Sequence, residues 1–207
     1  MRRFPSALLA AVAVFSPVAG AEARELLAPR VDYAATYVLQ PDGETMRMAH
    51  HASKMRIDTS SDGEAATIII DPAAQRMLML MQGMVLQMDM RERMPGMSFK
   101  DSGASLATDI SVKPQPLGTK VIAGLTCTVY DAICGAGTGE PVHSLVCLTP
   151  DNVMLESVSK DQGRTVTLTA TAVEIGPQDP ALFAAPPGAQ VMDMSRMMGG
   201  MGAMPGQ

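Results

Sequence analysis

Residues 75–89 read QRMLMLMQGMVLQMD, and this stretch decides which class of fold the sequence encodes. Methionine alternates with leucine before Gln82-Gly83, and an alternating pattern resumes after it. Side chains in a β-strand switch faces at every residue, and glycine supplies the positive φ that a two-residue turn needs. The stretch therefore predicts a β-hairpin in which Met81 pairs with Met84, Met79 with Leu86 and Met77 with Met88.

One face of this hairpin is almost entirely thioether. Its members are Met77, Met79, Met81, Met84, Leu86, Met88 and Met90. Methionine is flexible and polarizable, so the face suits three roles: part of a packed core, the lining of a groove for an apolar ligand, or a source of soft metal ligands. Neighbours on one face of a strand lie ~6.5–7 Å apart, which is wide for a single ion and disfavours the metal role for this hairpin.

The rest of the chain has the spacing of strands and turns that is typical of an antiparallel β protein. Short apolar or alternating runs recur about ten residues apart and are separated by Gly, Pro, Asp and Ser. Residues 164–175 (RTVTLTATAVEI) form the clearest single strand, because β-branched residues recur with a period of two. Residues 92–116 are polar and interrupted by proline, which predicts a long excursion between two halves of the sheet, and residues 179–183 predict one helical turn. The predicted fold class is all-β, with about nine or ten strands and little helix.

Both ends of the chain are predicted to lie outside this domain. Arg2 and Arg3 precede an apolar run at 7–15, and Ala21-Glu22-Ala23 fits signal-peptide cleavage before Arg24; a cut after Ala21 fits nearly as well. The run is shorter than the ~20 residues of a spanning helix, so we expect residues 1–23 to be a signal peptide and the mature protein to be periplasmic or secreted. The domain then covers 24–188, and 189–207 form a Met/Gly-rich tail too poor in large apolar residues to fold alone.

Charge and motifs exclude several functions. The chain has 16 basic and 21 acidic residues, a net charge of −5, whereas a nucleic-acid partner calls for a basic surface. The sequence has no nucleophile-elbow, zinc-protease, P-loop or dinucleotide motif, and its three histidines leave little for acid–base chemistry. We therefore expect a non-enzymatic protein without a cofactor.

Methionines elsewhere in the chain suggest an alternative function. Those of the tail are Met192, Met194, Met197, Met198, Met201 and Met204. A flexible segment can wrap thioethers around Cu(I) or Ag(I), which prefer soft ligands. His50 and His51 near Met46 and Met48 form a second candidate cluster. The alternative is thus a soft-metal-binding or metal-stress protein of the envelope.

The three cysteines are Cys127, Cys134 and Cys147. An oxidising compartment favours one disulfide and one remaining thiol, but the sequence pattern itself does not select the pair. Their spacing lacks a CxxC pattern, which argues against a zinc site.

Several motifs, taken in order, resemble one family. Residues 54–80 read KMRIDTSSDGEAATIIIDPAAQRMLML and 117–130 read LGTKVIAGLTCTVY, with Gly118, Ile122, Gly124, Cys127 and Tyr130 in the matching pattern. Residues 147–155 (CLTPDNVML) and Leu182-Phe183 with Pro186 and Gly188 follow. This series resembles the LolA/LppX-like proteins of bacterial envelopes, more closely their short branch catalogued as a domain of unknown function. The resemblance covers about residues 31–188.

The resemblance implies a strongly curved antiparallel half-barrel whose concave face holds apolar material; LolA itself ferries lipoproteins by their acyl chains. It also implies a Cys127–Cys147 disulfide, because the matching motifs have cysteine at both points, with Cys134–Cys147 as the alternative. The lid helices and aromatic-rich lining of LolA have no counterpart in this sequence. We expect a carrier that takes an acyl chain or a hydrophobic polypeptide segment on its methionine face, together with an envelope protein partner.

Overall fold

The structure is a computed structural model that describes residues 25–61, 63–90, 110–134, 142–161 and 163–194. These ranges form fourteen strands and a 3₁₀ helix at Pro180–Phe183. The strands are β1 (Glu25–Leu27), β2 (Tyr33–Gln40), β3 (Glu44–His51), β4 (Lys54–Ser61), β5 (Glu64–Asp71), β6 (Arg76–Met81), β7 (Met84–Asp89), β8 (Ile110–Val112), β9 (Gly118–Ile122), β10 (Leu125–Cys134), β11 (Val142–Leu148), β12 (Met154–Asp161), β13 (Arg164–Ile175) and β14 (Gln190–Asp193). The predicted signal peptide lies outside the described residues.

The strands form one curved sheet in the order β1-β8-β10-β11-β12-β13-β2-β3-β4-β5-β6-β7-β14, with β9 also paired to β10. Two meanders, β2 to β7 and β10 to β13, account for most of the sheet. The pairing of β13 with β2 joins them and brings residues far apart in the sequence together, as at Ile175 and Tyr33. The predicted all-β class and antiparallel sheet are confirmed.

The strand count exceeds the prediction because four strands are short or separate from the meanders. Residues 119–133 are divided into β9 and β10 by a turn at Ala123-Gly124, where both residues have positive φ (48° and 78°). Residues 110–112, predicted to lie in the excursion, form β8, because buried Ile110 and Val112 alternate and pair with both β1 and β10. Residues 92–109 of the excursion lie outside the described residues.

The two faces of the sheet bury different clusters. The larger cluster, on the inner face, contains residues from both meanders, including Tyr37, Ile57, Val146 and Leu168. Tyr37 also donates a hydrogen bond to the carbonyl of Met154 at 2.7 Å, which links β2 to β12. The curvature therefore places the two halves of the inner face against a common core.

The outer face of β2 to β7 is covered by the chain after β13. Asp179 caps the predicted helical turn by accepting a bond from the Ala181 N–H at 2.9 Å, and Phe183 is buried beneath that turn. The Nη1 of Arg56 donates to the Leu182 carbonyl at 2.8 Å. The chain then forms β14, parallel to β7, so the ordered structure extends beyond residue 188.

A disulfide joins Cys127 and Cys147, with the Cα atoms 5.4 Å apart. The direct partner of Cys147 across β10 and β11 is Val129, so the bond runs diagonally between residues of one face. Cys134 is buried and lies outside this bond. The structure thus has the first of the two pairings considered from the sequence.

Asp71 ends β5 inside a charged cluster. Burial raises the pKa of its carboxyl, but the Ala74 N–H (3.0 Å), Lys54 (3.4 Å) and Arg76 (3.6 Å) stabilise the charged form and hold that pKa below its usual range. The carboxyl of Asp58 behaves alike: burial raises its pKa, while hydrogen bonds from Arg56 and Thr67 bring it below its usual range.

The lowered pKa values of Asp58 and Asp71 predict that the protein loses stability in acid. A carboxyl group with a lowered pKa in the folded state contributes stability above its unfolded pKa of about 3.9, and that stability is lost as the pH falls through the folded value. We expect the urea midpoint to fall as the pH decreases below about 4, and Asp71→Asn to reduce this slope. A midpoint that stays constant from pH 5 to pH 3 would contradict the prediction.

Candidate ligand-binding face

The methionine hairpin has the predicted register. β6 and β7 pair Met77 with Met88, Met79 with Leu86 and Met81 with Met84. Gln82 and Gly83 both have positive φ, 49° and 80°, as a two-residue turn between twisted strands requires. The seven residues selected from the sequence therefore follow one side of the hairpin.

Burial along this side changes from one end of the hairpin to the other. Met77 and Met88 are each 3% exposed and belong to the inner core, whereas Met81 and Met84, beside the turn, are 38% and 45% exposed. The residues between them and the last methionine of the stripe are half-buried: Met79, Leu86 and Met90. The stripe is thus part of the core at its base, far from the turn, and part of the surface at its tip, beside the turn.

The same face continues across the neighbouring strands. Successive pairings connect Met77 through Ile70 and Met55 to His50, Met79 through Ile68 and Ile57 to Met48, and Met81 through Ala66 and Thr59 to Met46. The three further methionines are buried, at 9% exposure or less. Sequence reasoning did not include them in the face, although the alternation within 44–50 and 54–58 was a usable signal.

The two adjacent histidines point to opposite faces. His50 is buried on the inner face, stacks on Tyr33 with ring centroids 6.0 Å apart, and its Nδ1 lies 2.9 Å from the Val31 carbonyl. His51 lies on the other face, with Nδ1 2.6 Å from the Asp32 carboxylate, which lowers the pKa of Asp32. The proposed cluster of both histidines with Met46 and Met48 is therefore wrong, because strand alternation separates His51 from the other three.

Two of the six tail methionines fall within the described residues. β14 places Met192 opposite Leu86, and Met194 packs against the inner core. The other four, Met197, Met198, Met201 and Met204, lie outside the described residues. Within the described ranges, no three His, Cys, Asp or Glu side chains are grouped as metal ligands would be.

A recess of about 410 Å³ lies beside the hairpin tip. Its walls are residues 80–85 of the hairpin and 186–189 of the segment that leads into β14. Met81 and Met84 belong to this lining and to the thioether face, so exposed thioether connects the recess to that face. No helix among the described residues has the length and apolar character needed to cross a membrane.

No protein-family model and no curated protein matches the chain. Among solved structures, PNGF-II is similar at 13% identity and a TM-score of 0.47, over 79% of this chain and 31% of its own. A chain of the MucA/MucB complex of Pseudomonas aeruginosa is similar at 17% identity and a TM-score of 0.38, over 79% of this chain and 59% of that chain. The lipoprotein LppX of Mycobacterium tuberculosis is similar at 10% identity and a TM-score of 0.36, over 69% of this chain and 85% of its own. The chain thus spans less than two thirds of the length of the first two.

Proposed function

We propose that this chain is a non-enzymatic periplasmic carrier, which takes an acyl chain or a hydrophobic polypeptide segment at the tip end of its thioether face. The observation that carries the proposal is the exposure of Met81 and Met84 at the end of a face whose other thioethers are buried or half-buried. Exposed neighbouring thioethers beside a recess offer an adaptable apolar surface, because methionine has three rotatable bonds.

The surrounding structure supports this location. Met77 and Met88 anchor the base of the hairpin in the core, so the tip is presented by a firmly packed element. The recess next to it is bounded by residues 186–189, and β14 fixes that segment against β7. A ligand seated there would contact the hairpin and the C-terminal segment together, and an envelope partner would deliver or receive it at the same end.

Replacing both exposed thioethers tests the proposal. Met81→Ser with Met84→Ser is expected to weaken binding of the fluorescent hydrocarbon diphenylhexatriene about tenfold, because two partly exposed apolar side chains no longer cover the probe. The measurement is fluorescence titration of the mature protein. Native mass spectrometry of protein purified from cells should also show bound lipid in the unsubstituted chain.

A matched control uses exposed apolar residues elsewhere on the sheet. Val121→Ser with Leu145→Ser removes side chains that are 71% and 45% exposed and should leave the titration unchanged. Both double variants should keep the urea midpoint, since exposed substitutions have small effects on stability. Equal affinity in the two variants, or a protein that binds no diphenylhexatriene, would exclude this function.

A further inference from the structure

Exposed thioether in the described part of the chain is confined to the hairpin tip. Met81 and Met84 are 38% and 45% exposed, whereas every other methionine within the described ranges is buried or half-buried. The two residues pair directly across β6 and β7. Directly paired residues of an antiparallel sheet have Cβ atoms about 4.5–5.5 Å apart, so the two thioethers form one continuous exposed patch.

The neighbouring strand explains why exposure differs along the hairpin. At the tip, Met81 lies beside half-buried Ala66 on β5, whose single methyl group covers little of a thioether. At the base, Met77 lies beside Ile70, which is 1% exposed, and both belong to the inner core. A small molecule in solution therefore reaches the sulfur at the tip and not the sulfur at the base.

The exposed sulfurs are open to a two-electron oxidant such as hydrogen peroxide. The sulfur lone pair attacks one peroxide oxygen, so that an S–O bond forms and the O–O bond breaks. The thioether is oxidised to a sulfoxide, the peroxide is reduced, and its second oxygen leaves as water with both protons. Methionine sulfoxide reductases reverse the reaction with a dithiol as reductant and release the oxygen as water.

A sulfoxide at the tip would change the character of the recess. The walls beside Met81 and Met84 include the aliphatic side chains of Leu80 and Val85 and the prolines at 186 and 187. An apolar ligand seated there would bury the new S=O group without offering it a hydrogen bond, and burying an unpaired polar group is unfavourable. Oxidation therefore weakens the binding of an apolar ligand at this position.

The fold does not depend on the sulfurs of the tip. Met77 and Met88, which hold the base of the hairpin in the core, are each 3% exposed and protected from the oxidant. The turn is tied to β5 by polar groups, because the Nε2 of Gln82 donates to both carboxylate oxygens of Glu64 at 3.0 Å. Oxidation at the tip thus changes the surface of the site and leaves its support in place.

We propose that Met81 and Met84 are a reversible oxidation site, at which a peroxide converts the two thioethers to sulfoxides and causes the apolar ligand to be released. This rests on the proposed function, in which the same thioethers cover the ligand. Reduction of the sulfoxides restores binding. Leucine at these positions would supply a similar apolar surface but could not respond to an oxidant.

Graded oxidation of the mature protein with hydrogen peroxide tests the switch. Peptide mass spectrometry identifies the stage at which Met81 and Met84 have gained oxygen and Met77 and Met88 have not. At that stage we expect the affinity for diphenylhexatriene to be about tenfold lower than in the untreated protein, with the urea midpoint unchanged. Methionine sulfoxide reductases A and B with dithiothreitol should restore the affinity to that of an untreated sample taken through the same step.

A variant that carries both Met81→Leu and Met84→Leu isolates the contribution of these two sulfurs. Every other methionine of the chain stays oxidisable in this variant, including the methionines outside the described residues. Its affinity after the same peroxide treatment is compared with its own affinity before treatment. We expect a change of less than about twofold.

Four results would overturn the switch and leave the apolar site standing. They are an equal loss of affinity in the leucine variant, an unchanged affinity once Met81 and Met84 are oxidised, oxidation of Met77 and Met88 at the same rate as the tip, and a lowered urea midpoint when only the tip is oxidised. A different result, in which the untreated protein binds no diphenylhexatriene, would remove the proposed function and the switch with it.

Discussion

Replacing Phe183 with alanine is expected to lower the free energy of unfolding by about 3–5 kcal/mol, the usual cost of removing a buried aromatic ring. Phe183 is 1% exposed and is the buried residue of the 3₁₀ helix. The ring belongs to the outer-face cluster, whose other buried members are Ala34, Ala49, Ile69, Leu78 and Val85. Two of these are alanines, which cannot fill the space that the ring would leave.

The same substitution should loosen the C-terminal segment more than the sheet. Besides Phe183, the link from this segment to the outer face includes the bond from Arg56 to the Leu182 carbonyl. A single side chain-to-backbone bond is worth about 1 kcal/mol, far less than the ring. We therefore expect the amides of β14 to exchange hydrogen faster in the variant, while those of β4 and β5 exchange at rates set by the overall loss of stability.

Urea unfolding and hydrogen exchange check both parts of this prediction. Leu182→Ala is the matched control, because that side chain is half-buried in the same turn and leaves the Arg56 bond in place. Its effect should be clearly smaller. If Phe183→Ala cost no more than Leu182→Ala, the outer cluster would not be what holds the segment.

Local features of the fold could be predicted from the sequence because they depend on neighbouring residues. The hairpin register follows from alternation on both sides of Gln82-Gly83, and the helical turn follows from Asp179 and the proline after it. The pairings of β13 with β2 and of β14 with β7 connect distant segments, and no local pattern specifies such contacts.

Burial along the strands was also hard to predict. The sequence identified the thioether stripe but not that its base is core and its tip is surface, since this depends on which strands curve over it. In residues 142–148, alternation places Ser144 and Leu145 on opposite faces of the strand. Their hydrophobicity alone would favour Leu145 as the buried residue. The structure buries Ser144 instead, because Val146 and Leu148 share its face and fix the orientation of β11.

Removing the Cys127–Cys147 disulfide is expected to lower the free energy of unfolding by about 3 kcal/mol. The bond closes a loop between residues 20 apart, and a crosslink of this span restricts the unfolded chain by about that amount. The disulfide also joins two hairpins: Lys120 lies opposite Cys127 on β9, Glu156 lies opposite Cys147 on β12, and these two form an ion pair. Covalent and ionic links therefore run across the same four strands.

The test uses the double variant that carries both Cys127→Ala and Cys147→Ala. Its urea midpoint is compared with that of the unsubstituted protein, with and without dithiothreitol. The reductant acts on the unfolded chain, so it should lower the midpoint of the unsubstituted protein to near that of the double variant and leave the variant unchanged. Cys134→Ala, which removes a buried sulfur outside the disulfide, should keep the full response to reductant. A midpoint that is insensitive to reductant, with a double variant as stable as the unsubstituted chain, would show that the bond does not stabilise this sheet.

Lys120→Ala should lower the free energy of unfolding far less than the double variant does, since a partly exposed ion pair contributes about 1 kcal/mol or less.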